Sequence, residues 1–288
     1  MQFSSRKFAG LIVTDLDGTL MRTGGGFSAV DLEALEKAGR LGFARVIATG
    51  RSLHSFYKAV DFAMPIDFLI FSTGGGVLDC SGGKILRQIN MEASSVAAAI
   101  QTLKGLGLDF MAHDPIPDNH GFAYHSTGRS NADFNRRLAL YSAYCRLLDG
   151  AGDFGEAAQL LAILPDADIS VLPRIRRKLD GLNVIRTTSP LDGRSTWIEI
   201  FPPQVSKGLA AAWLADLIGI HPEKTLGIGN DYNDLDMLHW TAAGMVVDNA
   251  PEDLKARFPA AASNNHGGVA DAVDRWLLKR GSGGLSSR

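Results

Sequence analysis

The sequence predicts an α/β protein: a doubly wound parallel sheet with a second, smaller α/β module inserted into it. Three observations carry this expectation. Short apolar runs end in small or polar residues and are followed by helical patterns. The runs are continuous rather than alternating, which suits strands buried on both faces. Between about residue 83 and residue 196 this rhythm breaks, and after residue 200 it resumes.

The strand candidates are LIVT (11–14), ARVIAT (44–49), FLIFST (68–73), TLGIGN (225–230) and GMVVDN (244–249). Helical patterns lie between them at DLEALEKAGRLG (31–42), SLHSFYKAV (52–60), SKGLAAAWLADLIGI (206–220) and NDLDMLHW (233–240). The interrupting segment reads as helix at 91–107, 132–148 and 167–179, and as strand at 160–164, 182–188 and 195–201. The expected division is therefore a discontinuous core of 1–82 and 197–280, an inserted module of 83–196, and a flexible Gly/Ser tail at 281–288.

Bulk properties narrow the function. The 288 residues carry 29 Lys and Arg against 31 Asp and Glu, a net charge of −2 that argues against a nucleic-acid or anionic-membrane surface. No apolar run approaches the roughly 18 residues a membrane span requires. Cys80 and Cys145 are the two cysteines, which fits a reducing, cytoplasmic setting better than a disulfide framework.

In a parallel α/β sheet, ligands bind at the carboxyl ends of the strands. LIVT runs into Asp15-Leu16-Asp17, ARVIA into Thr49-Gly50-Arg51, and TLGIG into Asn230-Asp231-Tyr232-Asn233-Asp234, while Lys207 opens the helix before that last strand. Taken singly, each is an ordinary cap or turn residue; their joint occurrence at equivalent strand ends is not. Two carboxylates this close repel unless a cation lies between them. Asp and Asn oxygens, with no Cys or clustered His, point to Mg²⁺. Such an ion is completed by a substrate phosphate, with Lys207, Thr49 and the N–H groups of residues 15–19 holding the remaining phosphoryl oxygens.

The order DLDGT, TGR, a lysine before the last strand, and GNDYND resembles the haloacid dehalogenase (HAD) superfamily. The position of the insert, after TGGG (73–76) and before Lys207, resembles its subfamily IIB, the Cof-type phosphatases, which have a Rossmann-like core and an α/β cap of type C2. The resemblance extends over nearly the whole chain, through VVDNAPEDLK and HGGVADAVDRWL. It implies that Asp15 is the nucleophile that becomes an aspartyl-phosphate, that Asp17 is the general acid and then the base, that Thr49 donates to the phosphoryl group, and that Lys207 clamps its charge. It also implies that Asp15 and the main-chain carbonyl of Asp17 bind the metal with residues of the last motif, among Asn230, Asp231 and Asp234, with Asp234 orienting metal-bound water or Lys207; Gly50 and Asn233 are read at the phosphate, and Arg51 either contacts phosphate or substrate or pairs with an acid, the second reading being preferred. Sugar phosphates are the implied substrate class.

One departure stands out. The family's last motif reads Gly-Asp-x-x-Asn-Asp, whereas here Asn230 replaces the first acid and Asp231 follows one residue late. Either Asn230 is an uncharged ligand or the loop turns to bring Asp231 to the ion.

In the insert, HDPIPDNHGFAYH (113–125) has two open readings: a substrate-facing strand pair, with Asn119 and His120 as the residues to test, or a Pro-rich connection between strands. RIRRK (174–178) reads as a solvated face, and the glycine runs at 24–26 and 74–76 read as turns. The expected activity is Mg²⁺-dependent hydrolysis of a small phosphomonoester. A phosphotransferase or mutase is the nearest alternative, and a silent phosphometabolite-binding module is a further one.

Overall fold

The computed structural model describes residues 7–60, 63–148, 154–165, 169–189 and 191–283. Two compact units divide the chain. The first comprises residues 1–50, 58–86 and 207–288, and the second residues 51–57 and 87–206.

The first unit is built on an eight-stranded sheet. Its strands are β1 (Gly10–Asp15), β2 (Phe43–Ala48), β3 (Phe68–Phe71), β4 (Gly76–Asp79), β5 (Lys84–Gln88), β12 (Thr225–Gly229), β13 (Ala243–Val247) and β14 (Ala260–Ala261). They lie in the order β14-β13-β12-β1-β2-β3-β4-β5. The six strands from β14 to β3 run parallel, and β4 turns back antiparallel to β3. Each of the five apolar runs read from the sequence as a core strand is one of these parallel strands. Helices α1 (Ala29–Arg40), α6 (Lys207–Leu217), α7 (Leu235–Trp240), α8 (Glu252–Lys255) and α9 (Gly268–Gly283) supply the layers.

β1 shows why such a run must be a central strand. All six of its residues are buried, and it pairs with β2 on one side and β12 on the other. Leu11 and Val13 pack with Ala210, Leu214 and Met237. Its period-1 apolarity is what burial on both faces demands.

The second unit contains a six-stranded sheet in the order β10-β11-β9-β6-β7-β8, with β6 (Phe110–His113), β7 (Phe122–His125), β8 (Cys145–Leu147), β9 (Gln159–Leu164), β10 (Asn183–Thr188) and β11 (Thr196–Phe201). Its pairs are antiparallel except β7 with β8. Helices α2 (Leu53–Ala59, shared with the first unit at its end), α3 (Ala93–Gly105), α4 (Ala132–Leu140) and α5 (Leu172–Lys178) complete it. Val96, Ile100 and Leu103 of α3 and Ile175 of α5 pack with Phe110, Leu160, Ala162 and Ile198 from one side of the sheet.

Several boundaries differ from the expectation. The helix expected at 132–148 ends at Leu140, because the chain turns at Tyr141 and Cys145–Leu147 pairs with β7. The helix expected at 167–179 spans Leu172–Lys178 among the described residues, with Pro173 in its first turn. In α5 Ile175 is buried, while Arg174, Arg176, Arg177 and Lys178 are exposed around it. The expected unit limits at 82/83 and 196/197 fall at 86/87 and 206/207: β5 continues the first sheet's edge, and β11 is hydrogen-bonded between β9 and β10. Residues 51–57, placed in the core by the sequence reading, group with the second unit. Helix α9 runs through Gly283, past the expected start of the tail at 281, and residues 284–288 lie outside the described residues.

Candidate active site

The site of the first unit starts at the carboxyl end of β1. Asp15 is the last residue of that strand and is buried. The chain then reverses sharply, with the Leu20 N–H reaching the Asp15 carbonyl and the Met21 N–H that of Leu16. Gly18 makes the reversal possible. Its φ is +76°, and a Cβ there would stand 2.6 Å from the Asn230 side-chain nitrogen. The glycine of DLDGT is thus required twice, by its backbone and by its neighbour.

Lys207, the first residue of α6, is 1% exposed and lies 192 residues from Asp15 in sequence. Its Nζ donates to Asp15 Oδ1 at 2.6 Å and to Asp234 Oδ1 at 2.7 Å. The other oxygen of Asp234 accepts the backbone N–H groups of Asn230 (2.8 Å) and Asp231 (3.1 Å). Asp234 therefore holds both the lysine and the loop after β12. Gly229 permits this closeness, since a Cβ there would meet the Asp234 side chain at 2.6 Å.

The second oxygen of Asp15 accepts the Thr19 hydroxyl at 2.9 Å. Asn230 completes this side. The terminal atom of its amide that takes the Thr19 hydroxyl at 3.1 Å stands equally far from Asp15 Oδ2 and the Asp17 carbonyl. Turning the amide lets its NH₂ donate to all three. Asn230 thus adapts to either situation: as a donor it satisfies the oxygens of Asp15 and Asp17, and as an acceptor it makes a third oxygen facing them.

Charge supports a cation at this point. Asp15 and Asp234 share one ammonium, Lys207. Burial pushes the Asp15 carboxyl up to about 7; Lys207 opposes this, and Asp234 and Asp17 add to it. Burial pulls on Lys207 in the opposite sense, but the carboxylates of Asp15 and Asp234 overcome it and hold the ammonium above its ordinary value. Two carboxyl groups share one ammonium, so a cation beside Asp15 would offset excess negative charge. The oxygen donors that fit it are Asp15 Oδ2, the Asp17 carbonyl and the Asn230 amide oxygen, a hard set suited to Mg²⁺.

The remaining expected ligands stand otherwise. Asp231 Oδ1 accepts the Tyr232 N–H at 2.7 Å in a capping arrangement, and both oxygens of Asp234 are engaged as described. Among the described residues no three His, Cys, Asp or Glu side chains form a metal cluster. The oxygens and amide that face one another here are those of a carboxylate, a main-chain carbonyl and an asparagine. Asn233 lies in the same one-turn 3-10 segment, partly buried.

Thr49 follows β2 and is fully buried, its N–H donating to Ile70 and its carbonyl accepting from the Thr73 N–H at 3.0 Å. Among the described residues Ser72 and Thr73 are the two non-glycines with positive φ, at +51° and +55°. Strained backbone of this kind persists where the surroundings enforce it, and it recurs at functional sites. Here it presents the Thr73 N–H to Thr49. Gly50 follows, and a Cβ there would stand 3.5 Å from Thr73 Oγ1, an ordinary contact.

Arg51, Asn119 and His120 belong to the second unit. The Arg51 guanidinium donates to the Ser55 carbonyl at 3.3 Å. The Asn119 carbonyl lies 2.8 Å from His113 Nδ1, and His120 stacks on His54 at 4.3 Å with Tyr144 edge-on at 4.9 Å.

Three contributors escaped the sequence reading. Thr19 lies inside DLDGT, where only its N–H, not its hydroxyl, is given a role. Asn249 donates to the Gly18 carbonyl at 2.8 Å, and Asp236 accepts the Gly208 N–H at 2.9 Å at the start of α6. The first could have been found from its place in the motif. Asn249 lies in VVDNAPEDLK, where the resemblance pointed without naming it, and Asp236 carries no local signal.

Residues 12–273 match the family model of the haloacid dehalogenase-like hydrolases. The chain belongs to this family. It is 26% identical over 285 residues to the putative phosphatase YxeH of Bacillus subtilis, a match covering 94% of this chain and 99% of that one. It is 25% identical over 288 residues to the 5-amino-6-(5-phospho-D-ribitylamino)uracil phosphatase YwtE of the same organism, covering 92% and 97%. Its fold resembles that of BT1666 from Bacteroides thetaiotaomicron, with a TM-score of 0.75 at 19% identity over 96% of this chain and 98% of that one. It likewise resembles the subclass IIB sugar phosphatase BT4131, with a TM-score of 0.74 at 18% identity over 94% and 100%. The haloacid dehalogenase core with an α/β cap is therefore the fold of this chain, and the chain is a phosphatase-type hydrolase. Among the described residues no helix is long and apolar enough to cross a membrane.

Proposed function

We propose that this hydrolase is a Mg²⁺-dependent phosphomonoesterase acting on small, cytoplasmic sugar or polyol phosphates through an aspartyl-phosphate. The observation that carries the reading is the buried Asp15–Lys207–Asp234 chain, with Oδ2 of Asp15 facing the Asp17 carbonyl and Asn230. The substrate class is supported by relatives: BT4131 is described as a sugar phosphatase, and the substrate in YwtE's name carries a phosphorylated ribityl chain.

The chemistry assigned to the residues is as follows. A carboxylate oxygen of Asp15 attacks phosphorus, and the ester P–O bond breaks. Asp17, two residues along the loop and partly buried, gives its proton to the departing alkoxide. In the second half Asp17 takes a proton from water as the water attacks phosphorus. The Asp15–phosphorus bond breaks and inorganic phosphate leaves. Lys207 and the Thr49 hydroxyl hold the phosphoryl oxygens, and Asp234 keeps Lys207 oriented. Mg²⁺, when held by Asp15, the Asp17 carbonyl and Asn230, offsets the repulsion between carboxylate and phosphate.

The test is hydrolysis of phenyl phosphate and a panel of sugar phosphates, with and without Mg²⁺, by the wild type and Asp15→Asn. Release that requires Mg²⁺ and is lost in the variant is expected. Release that survives in Asp15→Asn overturns the nucleophile assignment. Release that survives exhaustive chelation overturns the metal assignment.

A further inference from the structure

After β1 the chain reverses between Asp15 and Phe27, and this reversal carries Asp17. Its own first bonds are long. The Thr19 N–H reaches the Leu16 carbonyl and the Leu20 N–H the Asp15 carbonyl at 3.3 Å each, while the Met21 N–H meets Leu16 at 2.8 Å. Gly18 adds freedom, since a glycine has more backbone states open to it than any other residue. Beyond Met21 the hairpin turns on Gly24, Gly25 and Gly26, all at positive φ, with nothing within 4 Å of where a Cβ would stand. Such a loop, left to itself, would hold Asp17 loosely.

It is held from outside, by three asparagines that follow 231 to 243 residues later. Asn249 Nδ2 donates to the Gly18 carbonyl at 2.8 Å. Asn249 Oδ1 accepts the Asn264 N–H at 2.9 Å, and a backbone N–H can only donate, so this amide is oriented at both ends. Asn264, 1% exposed, donates from Nδ2 to the Met21 carbonyl at 3.0 Å. Asn265 grips the far side of the loop: its Oδ1 accepts the Thr23 N–H at 3.0 Å, and its Nδ2 donates to the Thr23 hydroxyl at 3.1 Å. The asparagines and the reversal all belong to the first unit. Asn249 follows β13, and Asn264 and Asn265 precede α9, two elements packed on each other, so the clamp stands on a firm base.

We propose that Asn249, backed by Asn264, is a positioning residue for Asp17: its bond to the Gly18 carbonyl fixes the residue next to Asp17 and so the placement of the proton carrier. The role rests on the function proposed above, in which Asp17 protonates the departing alkoxide. Proton transfer needs donor and acceptor within about 2.6–3.2 Å, and a misplacement of about 1 Å can cost on the order of a hundredfold in rate. Asn249 reaches a backbone carbonyl rather than the reacting atoms, and its side chain is exposed, so it fills no core space. The consequence is specific to the leaving group. An alkoxide is a strong base and departs with a proton, whereas 4-nitrophenolate is a weak base and departs without one. Loss of the clamp therefore slows alkyl esters and spares the nitrophenyl ester. The later use of Asp17 as a base is common to all substrates and does not enter kcat/KM, which ends with departure of the first alcohol.

Asn249→Asp tests the bond to Gly18 alone, because the carboxylate still accepts the Asn264 N–H but donates nothing; Asn249→Ala removes both bonds. The full chain is assayed with Mg²⁺ on a panel of sugar and polyol phosphates and on 4-nitrophenyl phosphate. For the alkyl ester that the wild type cleaves best, kcat/KM is expected to fall roughly tenfold or more in both variants, against about twofold or less for 4-nitrophenyl phosphate. An equal or larger loss on the nitrophenyl ester, or no loss on the alkyl ester, overturns the proposal. If the wild type turns over no ester, the phosphatase reading fails separately. In that case, and where it cleaves one kind of ester alone, amide hydrogen exchange judges the clamp. The Leu20 and Met21 N–H groups are expected to exchange at least about tenfold faster in Asn249→Asp, measured against the β1 amides of the same protein. Exchange equal to that of the wild type overturns it.

Discussion

Replacing Asn230 by aspartate separates what the amide does without a cation from what it does with one. In the metal-free chain the amide can donate to Asp15 Oδ2, Thr19 Oγ1 and the Asp17 carbonyl, each at 3.1 Å. A carboxylate there donates to none of them and adds a negative charge beside Asp15. With charge centres roughly 4 Å apart and an effective dielectric constant of about 20, the repulsion is about 4 kcal/mol. That corresponds to a melting temperature lower by roughly ten degrees in EDTA at pH 8, where aspartate has least relief from protonation. With Mg²⁺ the sign reverses. A charged oxygen replaces a neutral one in the donor set, and part of the repulsion becomes attraction to the ion. The dissociation constant for Mg²⁺, measured by calorimetry, is expected to fall ten- to a hundredfold, equivalent to roughly 1.4–2.7 kcal/mol. The gap between melting temperatures with and without Mg²⁺ therefore widens from both ends. An Asn230→Asp protein that melts like the wild type in EDTA, or that binds Mg²⁺ no more tightly, refutes the placement of Asn230 among the cation's donors.

Lys207→Met strands Asp15 and Asp234 against each other in a buried site; a loss of roughly 3–5 kcal/mol in denaturant unfolding and at least a hundredfold in kcat is expected. Because burial raises Asp15 to about 7 from its ordinary 3.8, its stabilising contribution in the metal-free chain is present below about pH 4 and lost as pH rises through about 7. Melting curves in EDTA should show that decline in wild type relative to Asp15→Asn, and Mg²⁺ should remove it. At Thr73, both Gly and Ala delete the side chain, but only Gly accepts a φ of +55° freely; Thr73→Gly should exceed Thr73→Ala by roughly 1 kcal/mol in chemical denaturation.

The core strands were legible because burial on both faces leaves a one-letter signature, as in β1 and β12, and because strand exits carry the chemistry. Asp15, Lys207 and Asp234 could be picked out for the same reason. The second unit was less legible. Residues 132–148 have one helical composition throughout, and nothing in them announces that Cys145–Leu147 will pair with β7. The positive φ of Ser72 and Thr73 was equally hidden, since neither residue type advertises it and the adjacent glycines had been read as the turn. Asn230 was noticed as a departure, but whether it or Asp231 faced Asp15 depended on the capping bonds within 231–234, which the letters do not contain.

Those capping bonds decide more than ligand identity. Asp234 accepts two consecutive N–H groups and the lysine, so the loop after β12 is drawn toward Asp15 whether or not a cation is bound. Had residue 230 been a carboxylate, that same loop would hold two anions together in the metal-free state, and folding would be coupled to cation binding. The amide decouples them. It gives the metal-free site a satisfied hydrogen-bond network, at the cost of one charge when Mg²⁺ is present. On the function proposed above, the departure from the family motif shifts stability from the loaded to the unloaded state and leaves Asp15, Asp17 and Lys207 in place.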